Sequence, residues 1–299
     1  MRDQRFFALV CVLAFAAASQ ADEFRPNLGP DRESITVHCG EIGLLLRRQS
    51  QWTPGRIDFR STPMTTEKSA YGTVLSFPET GFIGTAHLEN EPEDLKRLTF
   101  VLDGDELADP DEVLTGESFQ MIRESQIRGF RLKCEFRIEN NRLIETTTLA
   151  TDKAVPLKLL YHFMHAWKPS MSELIAGVDD DPDKVISQQL LNDEDVNRKM
   201  YLNQRLDWMA IYDPESRQFA VSRLLQAPEI GEHEAKVWNV PGAYRKFYLM
   251  CFNNQTVPAG FEGTWRMITA FGAESQDHWA ENARKLAETL NESHTVRGR

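Results

Sequence analysis

RLKCEFRIENNRLIETTTLA, residues 131–150, decides how the rest of the chain is read. Leu132, Cys134, Phe136 and Ile138 fall on one side of an extended chain, while Arg131, Lys133, Glu135 and Arg137 fall on the other. A strict period of two describes a strand with one buried and one wet face. Asn140-Asn141 then supplies residues that tolerate left-handed backbone, so the chain turns back into a second strand over Arg142–Ala150.

Working outward, the same pattern recurs. Leu98, Phe100 and Leu102 alternate with Thr99 and Val101 before a hairpin-type Asp103-Gly104. Further strands are expected at Ser34–Cys39, Ile42–Arg48, Leu206–Tyr212, Gln218–Arg223, Tyr244–Phe252 and Thr264–Phe271. In the last of these, Trp265, Met267, Thr269 and Phe271 share a face. Many short strands separated by turns predict an all-β chain built as a sandwich of large antiparallel sheets. Two helices interrupt it. Asp181 as a cap with Pro182 in the first turn, followed by Val185, Ile186, Leu190 and Leu191, predicts a short helix near 181–197. Trp279, Ala283, Leu286 and Leu290 recur at steps of four, three and four, which predicts a C-terminal helix over Asp277–Asn291 on the outside of the sheets.

Residues 1–21 form a separate segment. A short basic start, an apolar run over Phe6–Ala18 and the small residues Ser19-Gln20-Ala21 match a secretory signal peptide. The expectation is export to the periplasm or medium, with residues 22–299 as one domain. The apolar run is shorter than the roughly 20 residues that a membrane span needs. A net charge of −11 argues against a general nucleic-acid binder. Cys39, Cys134 and Cys251 stand far apart and inside apolar strand patterns. They read as small buried hydrophobes, or as one disulfide and one thiol, and no metal or other cofactor is expected.

Three stretches carry side chains suited to chemistry. RRQSQWTPGRIDFR, residues 47–60, gathers four arginines with Trp52 and Phe59 in an acidic chain. Guanidinium forks at Arg56 and Arg60 suit vicinal hydroxyls or a carboxylate, and the Trp52 indole suits the C–H side of a pyranose. Outward arginines paired with surface acids would explain the same residues. In the second stretch, residues 71–91, Tyr71 precedes His87 and Glu89, which share a face if extended and make a candidate proton-transfer pair. The third, residues 157–171, brings His162, His165 and Trp167 to the end of an apolar strand. In a regular strand Leu160, His162 and Met164 face one way and Tyr161 and Phe163 the other, with His165 turned away from His162 unless the chain bends at Ala166. Such a histidine is often a satisfied core residue; two with an indole at a strand exit point to one wall of a sugar-sized site.

The run from Glu139-Asn140-Asn141-Arg142 through Asp152-Lys153-Ala154-Val155-Pro156 to His162 resembles the middle of the galactose mutarotase-like β-supersandwich superfamily. Gly55–Arg60 is similar to that superfamily's sugar-contacting arginine strand, and Phe247–Phe252 with Val257-Pro258-Ala259-Gly260 to its last strands. The resemblance implies a β-supersandwich that binds a mono- or oligosaccharide, with the family's pocket histidine at His162 or His165. It also implies a departure. Aldose epimerases of that type carry a catalytic glutamate on a late strand, whereas YLMCFNNQT, residues 248–256, holds no carboxylate. Ring opening needs an acid and a base on separate oxygens. The expectation is therefore an exported carbohydrate-binding protein with a cleft lined by Arg56, Arg60, His87, His162, His165 and Trp167. A lyase-like or epimerase-like enzyme using His162, His87 and Tyr71 is one alternative, and a structural envelope protein the other.

Overall fold

A computed structural model describes residues 29–67, 72–85, 87, 90–191 and 200–290. Its largest element is a ten-stranded sheet. In spatial order the strands are Asp181–Gln189, Glu173–Val178, Leu206–Asp213, Gln218–Gln226, Phe261–Ala273, Arg142–Thr151, Phe130–Glu139, Phe119–Ile127, Asp94–Leu102 and Asp105–Leu107. Every neighbouring pair is antiparallel. The 131–150 hairpin lies at its centre, with Glu139 opposite Arg142 across the two-residue turn. Asn140 and Asn141 both have positive φ, 51° and 54°, which matches the turn to the right-handed twist of its strands. Asp103 and Gly104 do the same at 51° and 92°.

A six-stranded antiparallel sheet is the partner layer, in the order Met200–Gln204, His233–Val240, Tyr244–Cys251, Leu159–Trp167, Thr73–Phe77 and Gly81–Gly84. A third sheet of five strands spans Ser34–Pro63 and Val113–Gly116; its one parallel pairing joins Ser34–Cys39 to Val113–Gly116. One contiguous core runs through all three sheets. It takes Leu44 and Phe59 from the five-stranded sheet, Phe136 and Trp265 from the ten-stranded one, and Leu160 and Phe247 from the six-stranded one. The fold is thus an all-β sandwich, and its layout matches the antiparallel architecture that the alternation predicts.

The outside of the ten-stranded sheet is partly covered by the C-terminal helix, Trp279–Thr289. Trp279, Ala283, Ala287 and Leu290 are buried against Tyr212, Val221, Ile268 and Ala270. The Trp279 indole stacks on Tyr212 with centroids 4.9 Å apart and 5° between planes, and its Nε1 donates to Glu173 at 2.9 Å. No described helix is long and apolar enough to cross a membrane.

The helix expected near 181–197 is a strand over its described part. Asp181–Gln189 pairs with Glu173–Val178 along the sheet edge, Val178 opposite Asp181 across Asp179-Asp180. The acidic Pro-containing start is therefore a hairpin entry, where Pro is tolerated because it lies at the beginning of an edge strand. Backbone pairing with an existing sheet outweighs a weak helical stripe. Residues 192–197 lie outside the described residues. So do residues 1–21, on which the export expectation rests.

The indole stack generates a measurable expectation. Trp279→Ala should lower the unfolding free energy by about 3–5 kcal/mol, the usual cost of deleting a buried tryptophan. Urea denaturation checks it. Lys285→Ala on the solvent side of the same helix should leave the midpoint unchanged.

Candidate functional site

The Leu159–Trp167 strand sets what faces where. It is irregular between His162 and His165, and Phe163 sits in left-handed backbone at φ 55°. Its N–H donates to the Gly72 carbonyl at 2.7 Å. The extra residue returns His165 to the side of His162, so the break comes at Phe163 and not at Ala166. His162, His165 and Trp167 all point between the sheets, while Tyr161, Met164 and Ala166 cluster on the opposite face.

On the inner side the two histidines are core groups. His162 is 0% exposed; its Nδ1 is 2.9 Å from Thr73 Oγ1, and its ring centroid is 4.3 Å from that of Trp265 on the facing sheet. Burial depresses its pKa from 6.5 to about 3, so it is neutral at physiological pH. His165 is 2% exposed, with Nε2 2.7 Å from Glu145 Oε2, and packs edge-on against Trp167 at 5.1 Å. Trp167 and Trp52 are buried as well, Trp52 edge-on to Phe100. These four side chains, expected to line a cleft, are closed off between sheets because an inward face at this depth meets another sheet.

The expected arginines are tied down at the surface. Arg56 grips Asp58 through Nε at 2.8 Å and Nη2 at 3.1 Å, with Glu67 at 3.6 Å. Arg60 bonds Glu41 at 2.5 Å and lies over the Phe59 ring. Both belong to the five-stranded sheet or the turn at its edge, and each is held there by an ion pair. Tyr71 and Glu89 lie outside the described residues. Of the two expected catalytic groups among the described residues, His162 faces inward and His87 lies toward the outer face of the six-stranded sheet. Its ring is 5.8 Å from Phe82, whose ring is 6.5 Å from Tyr161.

That outer face holds the side-chain cluster that the sequence reading missed. Tyr161 and Tyr248 have ring centroids 5.0 Å apart, and Lys246 Nζ sits 4.6 Å from the first and 5.1 Å from the second. Lys246 Nζ is also 3.4 Å from the Tyr161 hydroxyl. Across the ladder, Trp238 stands opposite Lys246, Lys236 opposite Tyr248 and Glu234 opposite Met250. Lys236 bonds Glu234 at 2.6 Å. Tyr161, Met164, Tyr248 and Met250 are largely buried, whereas Lys246, Trp238 and Tyr244 are half-buried at the border. Burial pushes the Tyr248 phenol up to about 12, so it stays a hydrogen-bond donor at neutral pH. The signal was present: Tyr244, Lys246 and Tyr248 occupy one face of a strand whose other face is Phe247, Leu249 and Cys251.

No protein-family model and no curated protein matches the chain. Solved structures resemble it in layout. A galactose mutarotase-like protein from Clostridium acetobutylicum is 11% identical with a TM-score of 0.47, over 80% of this chain and 94% of its own. A galactose mutarotase related enzyme from Lactobacillus acidophilus is 9% identical with a TM-score of 0.45, over 81% and 98%. An alpha-galactosidase from Lactobacillus brevis is 9% identical with a TM-score of 0.48, over 83% of this chain and 40% of its own.

The inner histidine yields a pH dependence. Unfolded His162 takes up a proton below its ordinary pKa of 6.5, whereas the folded residue does so only near 3. The unfolded state therefore binds more protons between those values, and stability falls as pH drops through 6.5, by about 1.4 kcal/mol per pH unit at the steepest. Urea midpoints from pH 7.5 to 4 should show this slope, and His162→Asn should flatten it.

Proposed function

We propose that the protein binds a carbohydrate on the outer face of the six-stranded sheet, with Tyr161, Tyr248 and Lys246 at the centre of the site. The observation that carries this reading is the Lys246 ammonium held over two adjacent tyrosine rings. Tyr161 and Tyr248 are 3% and 7% exposed and back the site. The aromatic faces open to the C–H side of a sugar ring are those of the half-buried Trp238 and Tyr244 and the exposed Phe82, with the Lys246 ammonium beside them to fix its oxygens. Phe82 and Trp238 extend the aromatic surface on either side, and His87 adds an imidazole next to Phe82. The resemblance to galactose mutarotase-like sequences agrees with a sugar ligand, and the signal-like residues 1–21 agree with a place outside the cytoplasm.

Binding is favoured over a reaction. An epimerase-like mechanism needs a free base opposite an acid. Among the described residues of this face, the carboxylate Glu234 is engaged by Lys236 and the Tyr248 phenol is held protonated, so neither of these two supplies the base.

Titration calorimetry against mono- and oligosaccharides tests the reading. A sugar should bind, and Tyr161→Ala and Tyr248→Ala should each weaken it about tenfold, equal to ~1.4 kcal/mol. His165→Phe, on the inner face, should lower stability without changing affinity. The absence of binding at millimolar sugar, or unchanged affinity in both tyrosine variants, would overturn it.

A further inference from the structure

We infer that the protein carries a second ligand site, a pocket between the C-terminal helix and the edge of the ten-stranded sheet that takes a neutral mono- or disaccharide. It lies on a different sheet from the site proposed above and does not depend on it. The pocket has a volume of about 370 Å³. That is in the lower part of the roughly 300–1,000 Å³ range of small-ligand pockets, which limits the ligand to one or two sugar rings. Asp183 and Val185 of the edge strand form one side and Arg284 and Glu288 of the helix the other, with Trp208, Asp207 and Arg223 on strands further in.

The balance of its polar groups sets the ligand's charge. Arg223 grips Asp207 through Nε at 3.0 Å and Nη2 at 2.9 Å, and its Nη1 donates to the Ala287 carbonyl near the helix end at 3.1 Å. That pair is a planar donor–acceptor plate held in place. Arg284 and Glu288 make a looser pair, 3.8 Å apart with both side chains largely exposed, and such a pair opens at little cost. Each guanidinium therefore has its own carboxylate, and Asp183 adds a third acid. Three carboxylates repel an anion and two guanidiniums repel a cation. Donors and acceptors set side by side suit hydroxyls, which act as both. The indole supplies the remaining contact. Trp208 is 8% exposed and stands opposite Gly177 in the ladder. A methyl group on Gly177 would come 2.2 Å from Trp208 Nε1, so the glycine lets the indole edge lie over the neighbouring strand where both residues line the pocket. Its N–H bonds no described residue, which leaves a largely buried donor for a ligand oxygen. Val185, 41% exposed, offers an apolar patch to the C–H side of a ring.

The test is an NMR titration of the full chain that follows the indole N–H signals of its six tryptophans, with Trp208 assigned from Trp208→Phe. Glucose, galactose, maltose and lactose are the neutral probes, glucuronate the anionic one and sorbitol the acyclic one. A neutral sugar at millimolar concentration should shift the Trp208 signal saturably. Arg284→Ala and Asp183→Ala, both at exposed positions, should each weaken that response at least fivefold without moving the urea midpoint. Binding on the six-stranded sheet is read separately, at the Trp238 signal, so the two sites can fail independently. Glucuronate or sorbitol acting as strongly as the sugars would overturn the assignment to a neutral saccharide. A Trp208 signal that no neutral sugar moves, or a response unchanged in both pocket variants, would overturn the pocket itself, whatever the tyrosine face binds.

Discussion

One left-handed residue in one strand sorts the molecule's polar side chains into two populations. Phe163 at φ 55° is an unfavourable conformation for a bulky aromatic, costing on the order of 1–3 kcal/mol. It persists because its N–H is bonded to Gly72 and its ring is buried in the core. Remove that irregularity and His165 would join Tyr161 on the outer face, and its bond to Glu145 could not form. The bulge commits both imidazoles to the interior and leaves the tyrosine surface to ring and ammonium groups.

The interior so formed is unusually polar. Besides Thr73 with His162 and Glu145 with His165, Arg123 and Glu93 form a fully buried ion pair that also engages Ser125, with Arg123 Nε donating to the Gln51 carbonyl at 3.0 Å. Buried charges lose hydration and regain it only through partners in fixed places. Two of these contacts cross between sheets, His165 with Glu145 and Arg123 with the Gln51 carbonyl, and they form only when the sheets face each other in a single register, so they act as keys to the stacking. Hydrophobic residues alone, such as Leu160 against its neighbours, would tolerate a slip more easily.

The sheets were legible because alternation is a local property. Arg131–Ile138 states which of its residues are buried without reference to anything distant, and the same holds for the helix beginning at Trp279. The site was less legible because residue type and period do not say which face of a strand is closed. His162 and Trp167 have the chemistry of pocket residues, but a second sheet covers them. Lys246 carries no distinguishing signal in the sequence, because its neighbour Tyr161 comes from the separate Leu159–Trp167 strand. Asp181–Gln189 failed for a related reason: its helical stripe was real in the sequence, and a hydrogen-bonding edge elsewhere in the chain outcompeted it.

That edge strand bears on how the protein behaves in a crowd of its own copies. A ten-stranded sheet ends in a row of backbone donors and acceptors onto which another chain could zip. Here the exposed rim begins Asp-Pro-Asp-Lys, residues 181–184, so a second copy approaching edge to edge would bring like charges together and meet a position with no N–H to offer. The same four residues that imitate a helix start thereby guard the largest sheet against growing into a fibre.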